Sequence, residues 1–162
     1  MPAETKPDRR ILRFHCYNCI RNDAAKLMAG PHRTTGKWTL GQQFEHLAIT
    51  MDMSIDGFGF GMPLHLRLAG KLLKNRFLTK GFPTGVKLGG RTAVMIPDTV
   101  SDEQGYEHLC RSIERCQNET KRAPSPLLGK LSSDEWEQLH VRHAELHLSF
   151  AQPLTAEDAN DS

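Results

Sequence analysis

Leu139-His140-Val141-Arg142-His143-Ala144-Glu145-Leu146-His147-Leu148 carries three of the chain's eight histidines. His143 and His147 are four residues apart. On an α-helix that spacing puts both rings on one face, about 6 Å apart along the axis, where two imidazoles can grip one metal ion. The same spacing also suits two solvated or hydrogen-bonded polar residues, so the neighbouring residues decide. Ser132 and Glu135 form an S-x-x-E capping box that starts a helix near Ser133. At about 100° per residue, Trp136, Leu139, His143, His147 and Phe150 then share one stripe about 80° wide. His143 lies in the middle of that stripe and His140 at its edge. A histidine among Trp, Leu and Phe needs a partner, because an unpaired polar group in a core costs about 1–3 kcal/mol. The pattern predicts a core-facing helix that presents a pair of candidate metal ligands.

Three further long amphipathic segments accompany it. The first is expected from about Ile11 to Met28 and is ended by Gly30-Pro31. The second opens at a Thr39/Gln42 capping box and runs to about Asp56, with a main stripe of Leu40, Phe44, Leu47 and Met51. His46 sits about 100° from that stripe, so periodicity does not place it in the core. The third follows a Ser101/Gln104 cap, carries Tyr106, Leu109, Cys110, Ile113 and Cys116 on one face, and is terminated by Pro124 and Pro126. Between the second and third lies an excursion. Gly57, Gly59 and Gly61 form a flexible turn that lacks the spacing of a dinucleotide fingerprint. Pro63 opens a short helix over Leu64–Leu78. Gly81–Pro97 reads as a long irregular connection with an extended piece at Thr92–Ile96, of the kind that often covers a site. The expected fold is an all-α four-helix bundle over residues 10–152, with a flexible tail at 1–9 and a disordered acidic tail at 153–162.

The chain has 162 residues, with 38% hydrophobic and 25% charged residues and a formal net charge of +2. These values suit one soluble globular domain with a core that needs no disulfides. No apolar leader and no run long enough to span a bilayer is present, so the expectation is a cytoplasmic protein without membrane contact. The charge is uneven. Gly57–Pro97 contains no Asp or Glu but holds Arg67, Lys71, Lys74, Arg76, Lys80, Lys87 and Arg91. This is either a solvated basic face or a field that attracts an anionic ligand. A small anionic molecule is the expected partner. Nucleic acid is not expected, and a homodimer stays open. Lys87 is the candidate for direct contact, because it lies in the glycine-rich connection where backbone can approach a ligand. Cys16 and Cys19 form a C-x-x-C, but a zinc ribbon needs a second such knuckle and a thioredoxin motif needs a βαβ unit. Cys16, Cys19, Cys110 and Cys116 are therefore expected to act as small hydrophobes.

Gly36-Lys37-Trp38-Thr39-Leu40-Gly41-Gln42, followed by Glu45-His46-Leu47-Ala48, resembles the second helix of the DinB-like superfamily, and Leu139–Leu148 resembles its fourth. From about Leu12 to Phe150 the chain is similar to an uncharacterised branch of that superfamily, a domain of unknown function. Gly85-Val86-Lys87-Leu88 and Ile96-Pro97 fall where that branch has its loop residues. The resemblance implies an up-down-down-up bundle and a divalent metal held by His46, His143 and His147. Zinc is the first expectation, with nickel or iron as alternatives, since imidazole suits all three. Better-characterised members of the superfamily transfer or isomerise with bacillithiol, mycothiol or similar low-molecular-weight thiols. The resemblance thus implies transfer of such a thiol to an electrophilic substrate. A metal-dependent hydrolase, or a non-catalytic bundle that binds a metal or small anion, are the alternatives. An ion with three imidazole ligands keeps an open position and lowers the pKa of a thiol or water there. Gln42 and His140 are candidates to stand behind the ligands, and for His140 the surface, a fourth ligand position and an acid–base role are the other readings. Glu45 and Glu145 are weaker candidates, since helix direction turns them sideways of their neighbouring histidines.

Overall fold

A computed structural model describes residues 8–154. The expected terminal tails fall largely on residues 1–7 and 155–162, which lie outside the described residues. Within the described part, five α-helices follow one another. They are α1 (Tyr17–Met28), α2 (Leu40–Asp56), α3 (Leu64–Lys80), α4 (Asp102–Asn118) and α5 (Ser133–Leu148). A 3-10 helix spans Gly90–Met95. Two three-residue strands, β1 (His32–Thr34) and β2 (Ala151–Pro153), pair antiparallel, with Arg33 opposite Gln152. Among the described residues, no helix is long and apolar enough to cross a membrane.

The three capping boxes form as their sequences predict. Thr39, Ser101 and Ser132 each accept the backbone N–H three residues on, and Gln42, Gln104 and Glu135 each reach back to the cap amide. These caps fix the starts of α2, α4 and α5. Apolar faces then bring α1, α2, α4 and α5 around one core, in which Ile20, Leu27, Phe44, Met51, Leu109, Ile113, Ala144 and Leu148 are fully buried. The tightest junction is between the first turns of α2 and α4. A Cβ at Gly41 would lie 2.6 Å from the carbonyl oxygens of Val100 and Ser101, and one at Gly105 would collide with the Gly41 carbonyl. Gly41 N–H donates to Asp102 Oδ1 at 2.7 Å across the same junction. A second apolar cluster of Leu78, Leu128, Leu131, Trp136 and Leu139 joins the end of α3 to the first half of α5. Helix α5 thus has neighbours on two sides, one core on each.

Four expectations are corrected. The first helix starts at Tyr17, not near Ile11. Residues 10–16 stay out of the helix, with their backbone tied to α5: Phe14 N–H donates to Glu145 Oε1 at 2.5 Å, and the Phe14 carbonyl accepts from Arg142. The chain around Thr34 and Ala151 forms strands, so the fold is not purely helical. Thr92–Ile96 is not extended, because a 3-10 turn capped by Thr92 runs through it. The tail boundaries also move outward, toward the termini. Arg9 donates to Ser149 Oγ, Arg10 pairs with Asp23 at 2.7 Å, and Pro153 belongs to β2.

Candidate metal centre

His46 projects from the middle of α2, and His143 and His147 from the last turns of α5. The structure brings the three together. His46 Nε2 lies 3.2 Å from His143 Nε2, and His147 Nε2 lies 3.0 Å from the same atom. One nitrogen from each ring fits inside a sphere of contacts no longer than 4.8 Å. His46 is 2% exposed although its angle places it off the main stripe of α2. Helix α2 is covered by α4 on one side and by α5 on another, so two of its faces are interior.

Hydrogen bonds behind two of the rings, His46 and His143, fix which of their nitrogens carry protons. His46 Nδ1 is 2.7 Å from the Met95 carbonyl oxygen, which can only accept, so Nδ1 carries the hydrogen and Nε2 is a bare lone pair. His143 Nδ1 makes a longer contact, 3.4 Å, with Thr50 Oγ1. The Thr50 hydroxyl already donates to the Leu47 carbonyl at 2.9 Å, so it accepts from His143 Nδ1. His143 Nε2 is then also a bare lone pair. Two such lone pairs facing each other at 3.2 Å repel unless a proton or a cation lies between them. A proton is disfavoured. Burial first, then the charges of His147, His46 and His140, holds His143 well below the ordinary histidine range. His147 is pushed down to about 3, chiefly by burial and then by His46 and Arg9. Burial also lowers His46, against the Met95 carbonyl. Neutral imidazoles whose inner nitrogens converge, with the outer nitrogens of His46 and His143 hydrogen-bonded, suit a divalent ion at about 2.0–2.1 Å from each. The donor set and the spacing therefore fit the group that the resemblance implies.

Aromatic side chains hold the rings in place. Trp38 stacks on His147 with centroids 5.4 Å apart and leans on His46 at 4.8 Å, and Phe82 meets His143 edge-on at 5.9 Å. Beyond the triad opens a cavity of about 750 Å³. Its wall is mainly apolar, from Phe58, Phe60, Phe82, Leu139 and Leu146, with residues of the Phe82–Met95 connection along one side. Such a volume holds a small organic molecule.

The other sequence candidates fall less simply. Lys87 is exposed and lies on the cavity wall, as does Arg91, whose guanidinium donates to the Gly61 carbonyl. The other five basic residues of the acid-free stretch do not line the cavity, and Lys74 pairs with Glu135 at 2.6 Å. His140 is not a surface residue. It is 3% exposed, stacked on Trp136 and hydrogen-bonded through Nδ1 to the Tyr17 hydroxyl at 2.8 Å, while its Nε2 has no partner. Burial holds His140 near 3, so it is neutral. Gln42 spends its side-chain oxygen on the Thr39 amide and does not stand behind a ligand. Glu45 accepts from His108 at 2.8 Å, and Glu145 from Phe14 N–H and Arg142, so neither touches the triad. Cys116 is buried as expected, but Cys16, Cys19 and Cys110 are only half-buried. The groups that do stand behind the ligands, Thr50 and the Met95 carbonyl, left no mark in the sequence. Thr50 is one of several threonines, and a carbonyl has no residue type.

The chain is thus a mainly helical protein with a triad of neutral histidines, His46 buried and His143 and His147 half-buried, against an apolar cavity. A family model described as a protein of unknown function, DUF1569, matches residues 6–154, and the chain belongs to that family. No curated protein and no solved structure matches it.

Proposed function

We propose that this protein is a divalent-metal-dependent enzyme of DinB-like fold that transfers a low-molecular-weight thiol to an electrophilic substrate. In this reading α1, α2, α4 and α5 are the four bundle helices in up-down-down-up order, and α3 with the Gly81–Pro97 connection is the excursion that walls the cavity. His46, His143 and His147 hold the ion, zinc before nickel or iron. The observation that carries the reading is the pair of bare Nε2 lone pairs of His46 and His143, fixed by Met95 and Thr50 and aimed at each other. When bound, the ion supplies Lewis acidity that lowers the pKa of a thiol or a water reaching its open side. The protein's own groups do the rest. Trp38 and Phe82 keep the rings from turning, the apolar wall receives the body of the electrophile and excludes water, and Lys87 and Arg91 offer cations to a carboxylate on the thiol.

Elemental analysis of untagged protein, purified without added metal, tests the site. About one equivalent of a divalent metal that His143→Ala lacks is the expected result. A matrix of thiols against electrophiles then tests the reaction. Consumption of thiol by the wild type and not by His143→Ala supports transfer. Cleavage of substrates by water with no thiol consumed would assign the site to hydrolysis instead, and a metal-free wild type would sink the whole reading.

A further inference from the structure

The C-x-x-C that the candidate site does not use has a geometry of its own. Cys16 is the N-cap of α1, with extended backbone angles, and Cys19 is three residues on in the first turn. The two Sγ atoms are in contact at 3.4 Å. Both residues are half-buried and both are free thiols. The extended cap followed by the helical turn is what brings the sulfurs together. Cys19 N–H bonds back to the Cys16 carbonyl at 3.0 Å and locks that turn. To reach an ordinary disulfide bond length the sulfurs need to close by about 1.4 Å, a shift within the reach of side-chain rotation. The environment also favours a thiolate. The polar backbone at His15 and the neighbouring Cys16 thiol lower the Cys19 pKa below its ordinary value, against burial. Cys116 shows the contrast: it is buried against α2 and its pKa is raised.

We infer that Cys16 and Cys19 form a redox-active dithiol that exchanges with small-molecule disulfides and closes into a disulfide at the start of α1. The Cys19 thiolate attacks one sulfur of the external disulfide. That S–S bond breaks, a mixed disulfide forms, and one thiolate leaves. The Cys16 thiolate then attacks the Cys19 sulfur, the mixed disulfide breaks, and the second thiolate leaves. Two protein thiols are oxidised, one external disulfide is reduced to two thiols, and the protons of Cys16 and Cys19 end on those thiols. An excess of small thiol drives the same steps backwards. This inference does not rest on the metal reading, and the experiment below does not use the metal.

The test uses the full-length protein incubated with glutathione disulfide at neutral pH, then alkylated and digested with trypsin. Cleavage after Arg13 and Arg21 releases residues 14–21, which contain both cysteines and no other. The expected product is this peptide short of two hydrogens and unalkylated, restored by reduced glutathione. Cys16→Ser is expected to trap one glutathione on Cys19, at least tenfold faster than Cys19→Ser traps one on Cys16. The same oxidation in urea reads the contribution of the fold, and closure there should be slower than in the native protein. The proposal is overturned if both native thiols stay open to alkylation, if each carries glutathione without ring closure, or if the unfolded chain closes as fast as the folded one.

Discussion

At the residue scale, the triad depends on which nitrogen of each ring is already engaged. His143 sits between His46 and His147 and contacts both inner nitrogens, so removing it leaves two ligands that face no third. His143→Ala is expected to abolish tight metal binding. His140→Ala should leave the metal in place yet cost about 1–3 kcal/mol of stability, because the Tyr17 hydroxyl loses its partner beside a new void. Metal content and urea denaturation of both variants check this, and equal loss of metal in the two would show that the wrong histidines have been paired. The H-x-x-x-H spacing made His143 and His147 legible in the sequence, because one turn of helix is a local property. His46 needed the resemblance, since its angle on α2 reads as marginal until a second helix covers that face. His140 was misplaced for the same reason. A stripe edge on a helix with one core is a surface, but α5 lies between two cores.

At the scale of elements, α2 and α4 are held by two devices of different kind. The first is steric. Gly41 and Gly105 let the backbones touch where the two caps meet. Gly105→Ala has no room to be absorbed, because its neighbour is the Gly41 carbonyl rather than a side-chain tip, and it is expected to cost about 1–3 kcal/mol in a urea titration. The second is electrostatic. His108 of α4 bridges Glu45 at 2.8 Å and Asp52 at 2.9 Å on α2, and Arg115 reaches Asp52 and Asp56. Hydrogen bonding to Asp52 raises His108 above the ordinary histidine range, outweighing burial. Burial pushes Asp52 up, but the bonds from His108 and Arg115 leave it below 3.8. The raised histidine contributes stability that is full below about pH 6.5 and is lost as pH climbs through its folded pKa. The depressed carboxylate contributes above about pH 3.8 and is lost on acidification through its own. The melting temperature of His108→Gln should therefore fall furthest below wild type near pH 5–6 and least near pH 9. A gap independent of pH would show that the bridge is not ionised. All of these helices were legible from caps and stripes. The strands were not, because three residues are too few to show a period, and β2 ends on a proline.

At the scale of the whole molecule, burying neutral histidines links the fold to acid. His140 and His147 lie near 3, and His143 lies well below the ordinary histidine range. The unfolded chain takes up protons at these positions from about pH 6.5 downward while the folded chain refuses them, so metal-free protein is expected to lose stability steadily from pH 6.5 toward 3. A divalent metal at a hundred times its dissociation constant should add about 2.7 kcal/mol at neutral pH, an increment that shrinks as acid competes for the ligands. Chemical denaturation across that range, with metal and with chelator, checks both signs. The acid-free stretch divides on the same scale. Only Lys87 and Arg91 face the cavity, so steering by this stretch has to act through them. An acidic thiol should bind better than its neutral ester at low salt, and Lys87→Ala should remove most of that preference. Equal binding of the two thiols at every salt concentration would leave the stretch as a solvated face.

His46 and His143 are 97 positions apart, and the turn that carries His147 is tied down by strand β2 and by Arg9 and Arg10 from the other end of the chain. During synthesis the ribosome therefore delivers the first of the three imidazoles long before the others. A nascent polypeptide halted anywhere before Leu139 holds one ligand and no partner for it. On the proposed metal reading, an ion would meet all three imidazoles only after His147 has been made. Chains truncated before β2, which still contain all three histidines, lack the closure that holds the end of α5 in register.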